Sequence, residues 1–337
     1  MIRSTLEPWL LRRWYGGVAP GLVLRALAWL FAWQVARRTA AYRGGRRAVH
    51  RLDVPVLVVG NLVAGGSGKT PAVIALVQYL KAQGWRPGVA TRGYGRRGST
   101  PLWAVADSDP HAVGDEPVVI ARRCAVPVRV DADRVRAARE LVAAGCDLVL
   151  ADDGLQHYRL GRDIEIEVRD AVRGYGNGLM LPAGPLREPP TRANACDFRL
   201  LTSAEHVPDL PPGSFAMRIV PGLAIGLHGG DPRALSTFSG QRVHAVAGIG
   251  RPERFFATLR AAGIDLIEHA FVDHHRFSAG DLAFDDELTV LMTEKDAVKC
   301  RRFASDRCFA LAIDAELSAA FYDALSQRLS GYGRMPQ

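Results

Sequence analysis

From Val54 onward, short apolar runs alternate with windows in which apolar residues recur at helical spacing. Val54–Gly60 is such an apolar run and predicts a buried strand. The window Lys69–Gln83 has a repeating apolar face and predicts a helix. This alternation is typical of a parallel sheet with helices on both faces. Further predicted strands are Val89–Thr91, Val126–Val130, Leu148–Ala151 and Ile164–Val168, and further predicted helices are Pro117–Arg123 and Asp133–Ala144.

A second, smaller α/β block follows Phe198–Thr202, which is itself a predicted strand. The proline-rich stretch Pro208–Gly213 indicates a boundary between the two blocks. We therefore predict an α/β fold with an N-terminal segment (1–50), a first domain with a parallel sheet (51–205) and a smaller α/β domain (206–337). Within the smaller domain, strands are predicted at Val243–Ala247, Leu266–Phe271 and Thr289–Thr293 and a helix at Pro252–Ala262; the stretch after about residue 303 carries no motif with an assignable role.

The N-terminal segment is apolar from Trp14 to Ala36 apart from Arg25 and Gln34, and arginines flank it on both sides. Its uncharged stretches are about half as long as the roughly 20 residues that a spanning helix needs, and burying Arg25 at mid-bilayer would cost about 2.5–3.5 kcal/mol. Tryptophan and arginine around an apolar helix are typical of the membrane interface. We therefore predict a membrane-interface helix that begins near Pro20; a buried packing helix and a true span are the alternatives.

The positive charge of the chain is concentrated in the same segment. The formal net charge is +8, and residues 1–50 account for all of it with nine arginines against the single acid Glu7. A neutral body argues against a nucleic-acid surface and favours local contact of the N-terminus with an anionic surface. The five cysteines have no metal-finger spacing, so neither a disulfide framework nor a zinc module is expected, and a reducing compartment suits the chain.

The strongest chemical signal is the run Val58–Thr70, VVGNLVAGGSGKT, between the first predicted strand and helix. Its glycine-rich part can direct backbone N–H groups at a phosphate beside the helix N-terminus. Lys69 would then contact the β- and γ-phosphates and Thr70 would bind Mg²⁺, so ATP and Mg²⁺ are expected. The general pattern has glycine where this chain has Val63. The predicted nucleotide-binding residues are Gly65, Gly66, Ser67, Gly68, Lys69 and Thr70.

Acidic residues stand at the ends of several predicted elements. Asp152 and Asp153 end an apolar strand, where open α/β sheets bind ligands, so either can complete a Mg²⁺ site with Thr70. Asp-Asp-Gly alone is more often a turn, so the functional interpretation depends on this position. The motif Gly114–Pro117 has two acids at a helix start, for which an N-cap is the ordinary explanation. Asp273–His275 has two histidines that are either structural or functional. A fourth such motif, TEKD, ends a predicted strand in the second block.

Two loops are also candidates for binding. Gly174–Pro190 contains four glycines and four prolines and predicts no regular element, and loops of this length are usually functional or disordered. Arg92–Arg97, RGYGRR, follows a predicted strand and suits either an anionic ligand or solvent.

Together these motifs resemble one family. GNLVAGGSGKTP, TRGYGRR, GDEP, DDGLQH, LPAGPLREP, DHH and TEKDAVK occur in the order found in the tetraacyldisaccharide 4′-kinases, from the N-terminal hydrophobic helix to about residue 300. The resemblance implies a P-loop domain, a smaller α/β domain and a cleft between them. It implies transfer of the γ-phosphate of ATP to the 4′-hydroxyl of tetraacyldisaccharide 1-phosphate, forming lipid IVA at the cytoplasmic face of the bacterial inner membrane. The implied partners are this glycolipid and the membrane surface, with no nucleic acid, and we expect a monomer.

The resemblance also implies roles for individual residues. Asp115 corresponds to the general base and pairs with a histidine that best matches His274, with His275 as the alternative. Lys69 is the third expected catalytic residue. The residues implied for metal binding are Thr70, Glu116, Asp152 and Asp153, and those implied for the substrate are Arg92, Tyr94, Gln156, His157, Arg187 and Glu188.

Two other classes of protein share some of these features. Membrane-associated ATPases of the partitioning or iron-protein type also have a GGxGKT loop, but their signature lysine precedes the paired glycines, where this chain has Ala64. A nucleotide-binding regulator would not transfer phosphate to an acceptor hydroxyl. Phosphate transfer to a glycolipid therefore distinguishes a kinase from both of these classes.

Overall fold

The computed structural model describes residues 2–203 and 209–333, with the side chains from residue 9 onward. Two helices come first: α1 (Ile2–Tyr15) and α2 (Leu22–Arg43). Only Ala28 and Val35 of α2 are buried, because most of its apolar side chains face outward. Among the described residues, no helix combines the length and the hydropathy that crossing a membrane requires.

The first half of the sheet is built around the strand that precedes the glycine-rich loop. β1 (Val56–Gly60) is buried along its whole length, since α3 (Lys69–Ala82) covers one face and the cluster that includes Leu141 covers the other. The remaining strands of this half are β2 (Pro87–Thr91), β3 (Leu102–Ala104), β4 (Val128–Val130), β5 (Leu148–Asp152), β6 (Ile164–Asp170) and β7 (Phe198–Thr202), and its helices are α4 (Pro110–Val113), α5 (Asp115–Cys124) and α6 (Arg134–Ala143).

The second half continues the same sheet. β8 (Ser214–Gly226) begins parallel to β7 and then pairs antiparallel with β12 (Cys308–Leu317), so the two long strands link the halves. The other elements are β9 (Arg242–Ala247), α7 (Pro252–Ala261), β10 (Asp265–Ala270), β11 (Val290–Thr293), α8 (Glu294–Cys300) and α9 (Ala319–Leu329). In the described residues the strand order is β10-β9-β11-β12-β8-β7-β6-β1-β5-β2-β4-β3, and all neighbours are parallel except β12–β8 and β3–β4.

The last helix returns to the first half of the molecule. Phe321 of α9 is fully buried and packs edge-on against Phe198 and Phe215, in the same cluster as the buried face of α3. Leu325 and Leu329 follow at helical spacing in that cluster. The core around α3 is therefore completed by α9, which begins about 250 residues later in the sequence.

The α/β class with a large, mostly parallel sheet is confirmed. Each predicted strand and helix after Val54 appears, with its ends shifted by at most two residues. The helix predicted to begin near Pro20 is α2, which begins at Leu22, and all five cysteines are buried and free. The division at residue 205 stays a prediction and falls within residues 204–208, which lie outside the described part of the chain. The helices and strands for which no bounds were predicted are α1, β3, α4, β8, α8, β12 and α9.

Candidate active site

The glycine-rich loop connects the carboxyl end of β1 to the first residue of α3. Gly65 and Gly68 have φ angles of 108° and 88°, a region that favours glycine, and Gly68 is the N-cap of α3. The Asn61 side chain donates to Ser67 Oγ at 2.9 Å and to the Gly65 carbonyl at 3.4 Å. The loop is thus held by hydrogen bonds among its own residues directly before the N-terminus of α3, a position that favours an anionic group.

Val63, where the general pattern has glycine, has a structural explanation. Its side chain is buried in the core beneath the loop, and its backbone pairs with Leu186. The Ala64 N–H donates to the Pro185 carbonyl at 2.8 Å, and the Arg187 N–H donates to the Leu62 carbonyl at 2.7 Å. The segment Gly174–Pro190 therefore lies directly against the glycine-rich loop, which the sequence motifs alone do not indicate.

Asp153 joins two of the predicted cations. Arg187 donates to its carboxylate oxygens at 3.0 and 2.9 Å, and Lys69 Nζ lies 3.7 Å from Oδ1. Burial alone would raise the pKa of Asp153, but the charges of Lys69 and Arg187 outweigh it and lower the pKa to about 2. Asp153 is therefore ionised at neutral pH and orients both cations at the mouth of the loop.

Asp152 and Glu116 form the acidic side of the site. Asp152 is 2% exposed and accepts a hydrogen bond from Thr91 Oγ1 at 3.0 Å. Burial, with the charges of Glu116 and Asp153, raises its pKa to about 6. Thr70 Oγ1 donates to Glu116 Oε1 at 3.3 Å. Glu116 is also paired with Lys295, so the unbalanced negative charge on this side is that of Asp152.

Asp115 contacts His274 although 159 positions separate them in sequence. His274 Nδ1 lies 2.9 Å from Asp115 Oδ2, and the imidazole ring lies 5.1 Å from the Tyr94 ring. Burial would raise the pKa of Asp115, but the hydrogen bond from His274 and the charge of Lys295 lower it to about 2. The same hydrogen bond raises the pKa of His274. His275 instead has its Nε2 3.5 Å from Asp281.

The residues expected at the substrate lie on two sides of this centre. Gln156 Nε2 donates to the Asn61 carbonyl at 3.2 Å and to Glu188 at 3.1 Å. Glu188 is 1% exposed and also accepts a hydrogen bond from the Tyr158 hydroxyl, so its buried carboxylate holds the Gln156 and Tyr158 side chains in place. Burial, together with the charges of Arg134 and Arg92, lowers the pKa of His157 to about 4. Arg92 and Tyr94 are exposed on the loop after β2.

Two cations of the second block reach this centre without having been assigned a role. Lys295, in the TEKD motif at the end of β11, donates to Glu116. Arg251 donates to Asp170 at 2.9 Å and to the Gly66 carbonyl at 3.0 Å. The position of TEKD at a strand end was a usable signal for Lys295, whereas no pattern in the sequence distinguishes Arg251 from other arginines.

The comparisons with known proteins all indicate one family. A family model described as Tetraacyldisaccharide-1-P 4′-kinase (LpxK) matches residues 21–330. A tetraacyldisaccharide 4′-kinase of Stenotrophomonas maltophilia (strain R551-3) is 54% identical over 322 residues, which cover 94% of this chain and 95% of the relative. One of Xylella fastidiosa (strain 9a5c) is 53% identical with the same coverage.

A solved structure is also similar. The crystal structure of LpxK from Aquifex aeolicus in complex with ATP superposes with a TM-score of 0.78 at 26% identity. The match covers 97% of this chain and 99% of that one. The likeness therefore includes both halves of the sheet.

Proposed function

The chain belongs to the tetraacyldisaccharide-1-P 4′-kinase family, and we propose that it performs the family's reaction where the glycine-rich loop, α5 and Asp273–His275 meet. The activity is phosphoryl transfer from ATP to the 4′-hydroxyl of tetraacyldisaccharide 1-phosphate, a step of lipid A biosynthesis. The comparisons do not favour an ATPase of the partitioning type.

The contact between Asp115 and His274 is the observation that best supports this location for the site. It joins the GDEP and DHH motifs, one from each half of the sheet, beside the acidic residue Glu116 that accepts from Thr70. A kinase needs its acceptor group next to the transferred phosphate. Because Asp115 directly precedes Glu116, whose side chain contacts Thr70, this place supplies a carboxylate close to the end of the loop.

On the nucleotide side, the backbone N–H groups from Gly65 to Gly68 bind the β- and γ-phosphates, and Lys69 neutralises their charge. Lys69 is already near the site because Asp153 holds its Nζ. Phosphoryl transfer depends on positioning and charge stabilisation more than on covalent catalysis, so these groups supply most of what the reaction needs.

Mg²⁺ fits the acidic side of the site. Hydroxyl and carboxylate oxygens are its preferred ligands, and the raised pKa of Asp152 marks charge that a divalent cation would neutralise. The described residues contain no preformed group of three or more acidic, histidine or cysteine ligands. Mg²⁺ usually takes one or two carboxylates and completes its shell with phosphate oxygens and water. Bound, it would neutralise phosphate charge; the proposed ligands are Thr70, Glu116, Asp152 and Asp153.

On the acceptor side, Asp115 is ionised at neutral pH and can accept a hydrogen bond from the 4′-hydroxyl. It orients the oxygen and takes the proton as the new P–O bond forms and the bond between the γ-phosphorus and ADP breaks. His274, which donates to Asp115, stabilises the carboxylate. Arg187 and Gln156 approach the sugar from the Gly174–Pro190 side. Glu188 acts through Gln156, and the remaining proposed contacts are Arg92, Tyr94 and His157.

The acceptor is a lipid, and α2 offers a surface for reaching it. Leu22 is 84% and Trp29 71% exposed, and Trp33 is exposed one turn later, with its ring near the Arg37 guanidinium. We propose that this face lies in the cytoplasmic leaflet of the inner membrane, with arginines on anionic headgroups. The protein then acts as a peripheral monomer that does not bind nucleic acid.

The assignment is tested by incubating the purified protein with ATP, Mg²⁺ and tetraacyldisaccharide 1-phosphate in mixed micelles. Mass spectrometry should find a product heavier by one phosphoryl group on the distal sugar, formed in equal amount to ADP. ADP release with unmodified glycolipid would contradict the proposal and favour an ATPase or a nucleotide-binding regulator.

A further inference from the structure

Asp296 is a buried carboxylate that the proposed reaction does not use. It is 0% exposed and lies in the first turn of α8, beyond the end of β11. Thr293 Oγ1 donates to it at 2.6 Å and Lys299 Nζ at 2.7 Å. A buried charge of this kind is costly unless it is paired and hydrogen-bonded, and here it is both.

A third donor connects Asp296 with the active site. The Gly248 N–H, at the end of β9, donates to Asp296 Oδ2 at 2.8 Å. On the other side of the same residue, the Gly248 carbonyl accepts from the His274 N–H at 3.2 Å. Gly248 therefore joins the buried carboxylate to the backbone of the histidine that contacts Asp115.

A side chain at Gly248 would be crowded by its neighbours. A Cβ there would lie 3.1 Å from Asp296 Oδ1 and 3.3 Å from His275 Cβ and Phe277 Cε2. Real Cβ contacts are rarely so short, so glycine allows the backbone to approach the carboxylate. The close approach makes the position of Gly248 depend directly on Asp296.

His274 needs such support because its backbone is in the left-handed region, with φ of 58°. Residues other than glycine are strained there and keep this conformation only where the surroundings impose it. The Asp273 carboxylate accepts from the same N–H at 3.1 Å, so the left-handed residue is held from two sides. The imidazole ring then reaches Asp115 across the two halves of the sheet.

We propose that Asp296 is a positioning residue for His274, acting through the Gly248 peptide. No hydrogen bond or ion pair joins it to Asp115 or to the imidazole, and its charge is balanced by Lys299. Its role is to fix the peptide against which the Asp273–His275 turn folds. This inference rests on the proposed role of His274 in phosphoryl transfer.

The test is a double-mutant cycle between Asp296→Asn and His274→Ala, with kcat and both KM values measured. Misplacing a catalytic group typically costs roughly 10- to 100-fold, so Asp296→Asn should lower kcat by that factor and leave both KM values within a few-fold. In the His274→Ala background the same change should lower kcat by less than about threefold. Equal losses in both backgrounds would overturn the proposal, as would an unchanged kcat in Asp296→Asn.

A second variant and a spectroscopic measurement keep the test decisive if Asp296→Asn folds poorly. Gly248→Ala should give the same non-additive loss, since the added methyl group displaces the other end of the connection. In ¹⁵N-histidine-labelled protein, the His274 ring signals, assigned by their loss in His274→Ala, should shift in both variants. Unshifted signals would exclude the connection. Asp286→Asn, which alters a separate aspartate–histidine pair with His244, is the matched control and should leave these signals in place.

These readouts separate the two proposals. A His274→Ala variant with normal kcat would contradict the role of His274 in the reaction, while the ring signals would still report whether Asp296 positions it. A strongly impaired His274→Ala with unchanged ring signals in Asp296→Asn would contradict only the positioning role.

Discussion

The ring of Tyr322, in the last helix, stacks on the ring of Tyr79, in the helix that follows the glycine-rich loop, with centroids 4.1 Å apart. The Tyr79 hydroxyl also lies 2.6 Å from Ser326 Oγ. α9 is thus a structural part of the nucleotide-binding half, and we expect substitutions in its buried face to destabilise that half.

Phe321→Ala tests that relationship. Truncating a fully buried phenylalanine costs about 3–5 kcal/mol of unfolding free energy, because it removes apolar contact and leaves a cavity. Urea denaturation should show this loss, whereas Gln327→Ala, a substitution on the exposed side of the same helix, should change the free energy by less than about 0.5 kcal/mol. A small effect for Phe321→Ala would mean that α9 contributes little to the core.

Lys69→Ala should reduce kcat by far more than tenfold, since the Lys69 ammonium is the cation next to the proposed phosphate position. A tenfold loss corresponds to about 1.4 kcal/mol of transition-state stabilisation. Lys81→Ala, near the other end of the same helix, should leave kcat within about twofold because Lys81 contacts the Cys124 carbonyl. Turnover above a tenth of the wild-type rate in Lys69→Ala would remove the lysine from the mechanism.

Asp115→Asn and His274→Ala should each lower kcat by about 10²–10⁴-fold while the KM for ATP changes only a few-fold. Their double mutant should lose much less than the product of the two factors, because the pair acts as one unit. His275→Ala is the comparison, since its Nε2 lies near Asp281 instead. Independent losses, or a larger effect of His275→Ala, would break the proposed pairing.

Replacing Trp29 and Trp33 with serine should weaken binding to anionic vesicles about tenfold or more, since both are exposed on the apolar face of α2. Vesicle sedimentation measures this without removing α1. Trp103→Ser, which alters an exposed tryptophan on β3, is the matched control and should bind as the wild type does. Equal binding of all three proteins would place the membrane contact elsewhere.

His157 predicts a pH dependence of stability. Burial, with the charges of Arg134 and Arg92, lowers its pKa in the folded protein from 6.5 to about 4. Between these values the unfolded chain takes up a proton that the folded protein does not, so this contribution to stability falls as the pH falls. His157→Gln cannot take up that proton. Its unfolding free energy should therefore drop less than that of the wild type between pH 6.5 and 4.5; equal drops would contradict the shift.

The strands and helices around the glycine-rich loop were predictable because their cores are local and strongly periodic. β1 and α3 are examples, with continuous or helically spaced apolar residues. By contrast, β8 contains Pro221 and Gly222, and only Met217 and Ala224 are buried, so it lacks the continuous apolar run that marks β1. The apolar spacing of Phe321, Leu325 and Leu329 was a usable signal for α9, but nothing local indicates that it packs on α3.

Within the candidate site, the motifs predicted which residues carry chemistry but not how they meet. The contact of Asp115 with His274 rather than His275 depends on the left-handed backbone at His274, which no local pattern predicts. The burial of Glu188 likewise depends on Tyr158 and Arg192 beneath it. Which motifs form one site is set by the sheet order, and that order is a long-range property of the chain.

The end of α1 is hydrogen-bonded to the loop that contains Arg187. Trp14 Nε1 donates to the Pro182 carbonyl at 3.0 Å, and the Asn177 N–H donates to the Trp14 carbonyl at 2.8 Å. If the exposed face of α2 lies in a bilayer as proposed, this contact with the N-terminal segment holds the loop at a set distance from the lipid. The height of Arg187 above the membrane would then be fixed by the protein, and the proposed acceptor sugar would have to reach that height to be phosphorylated.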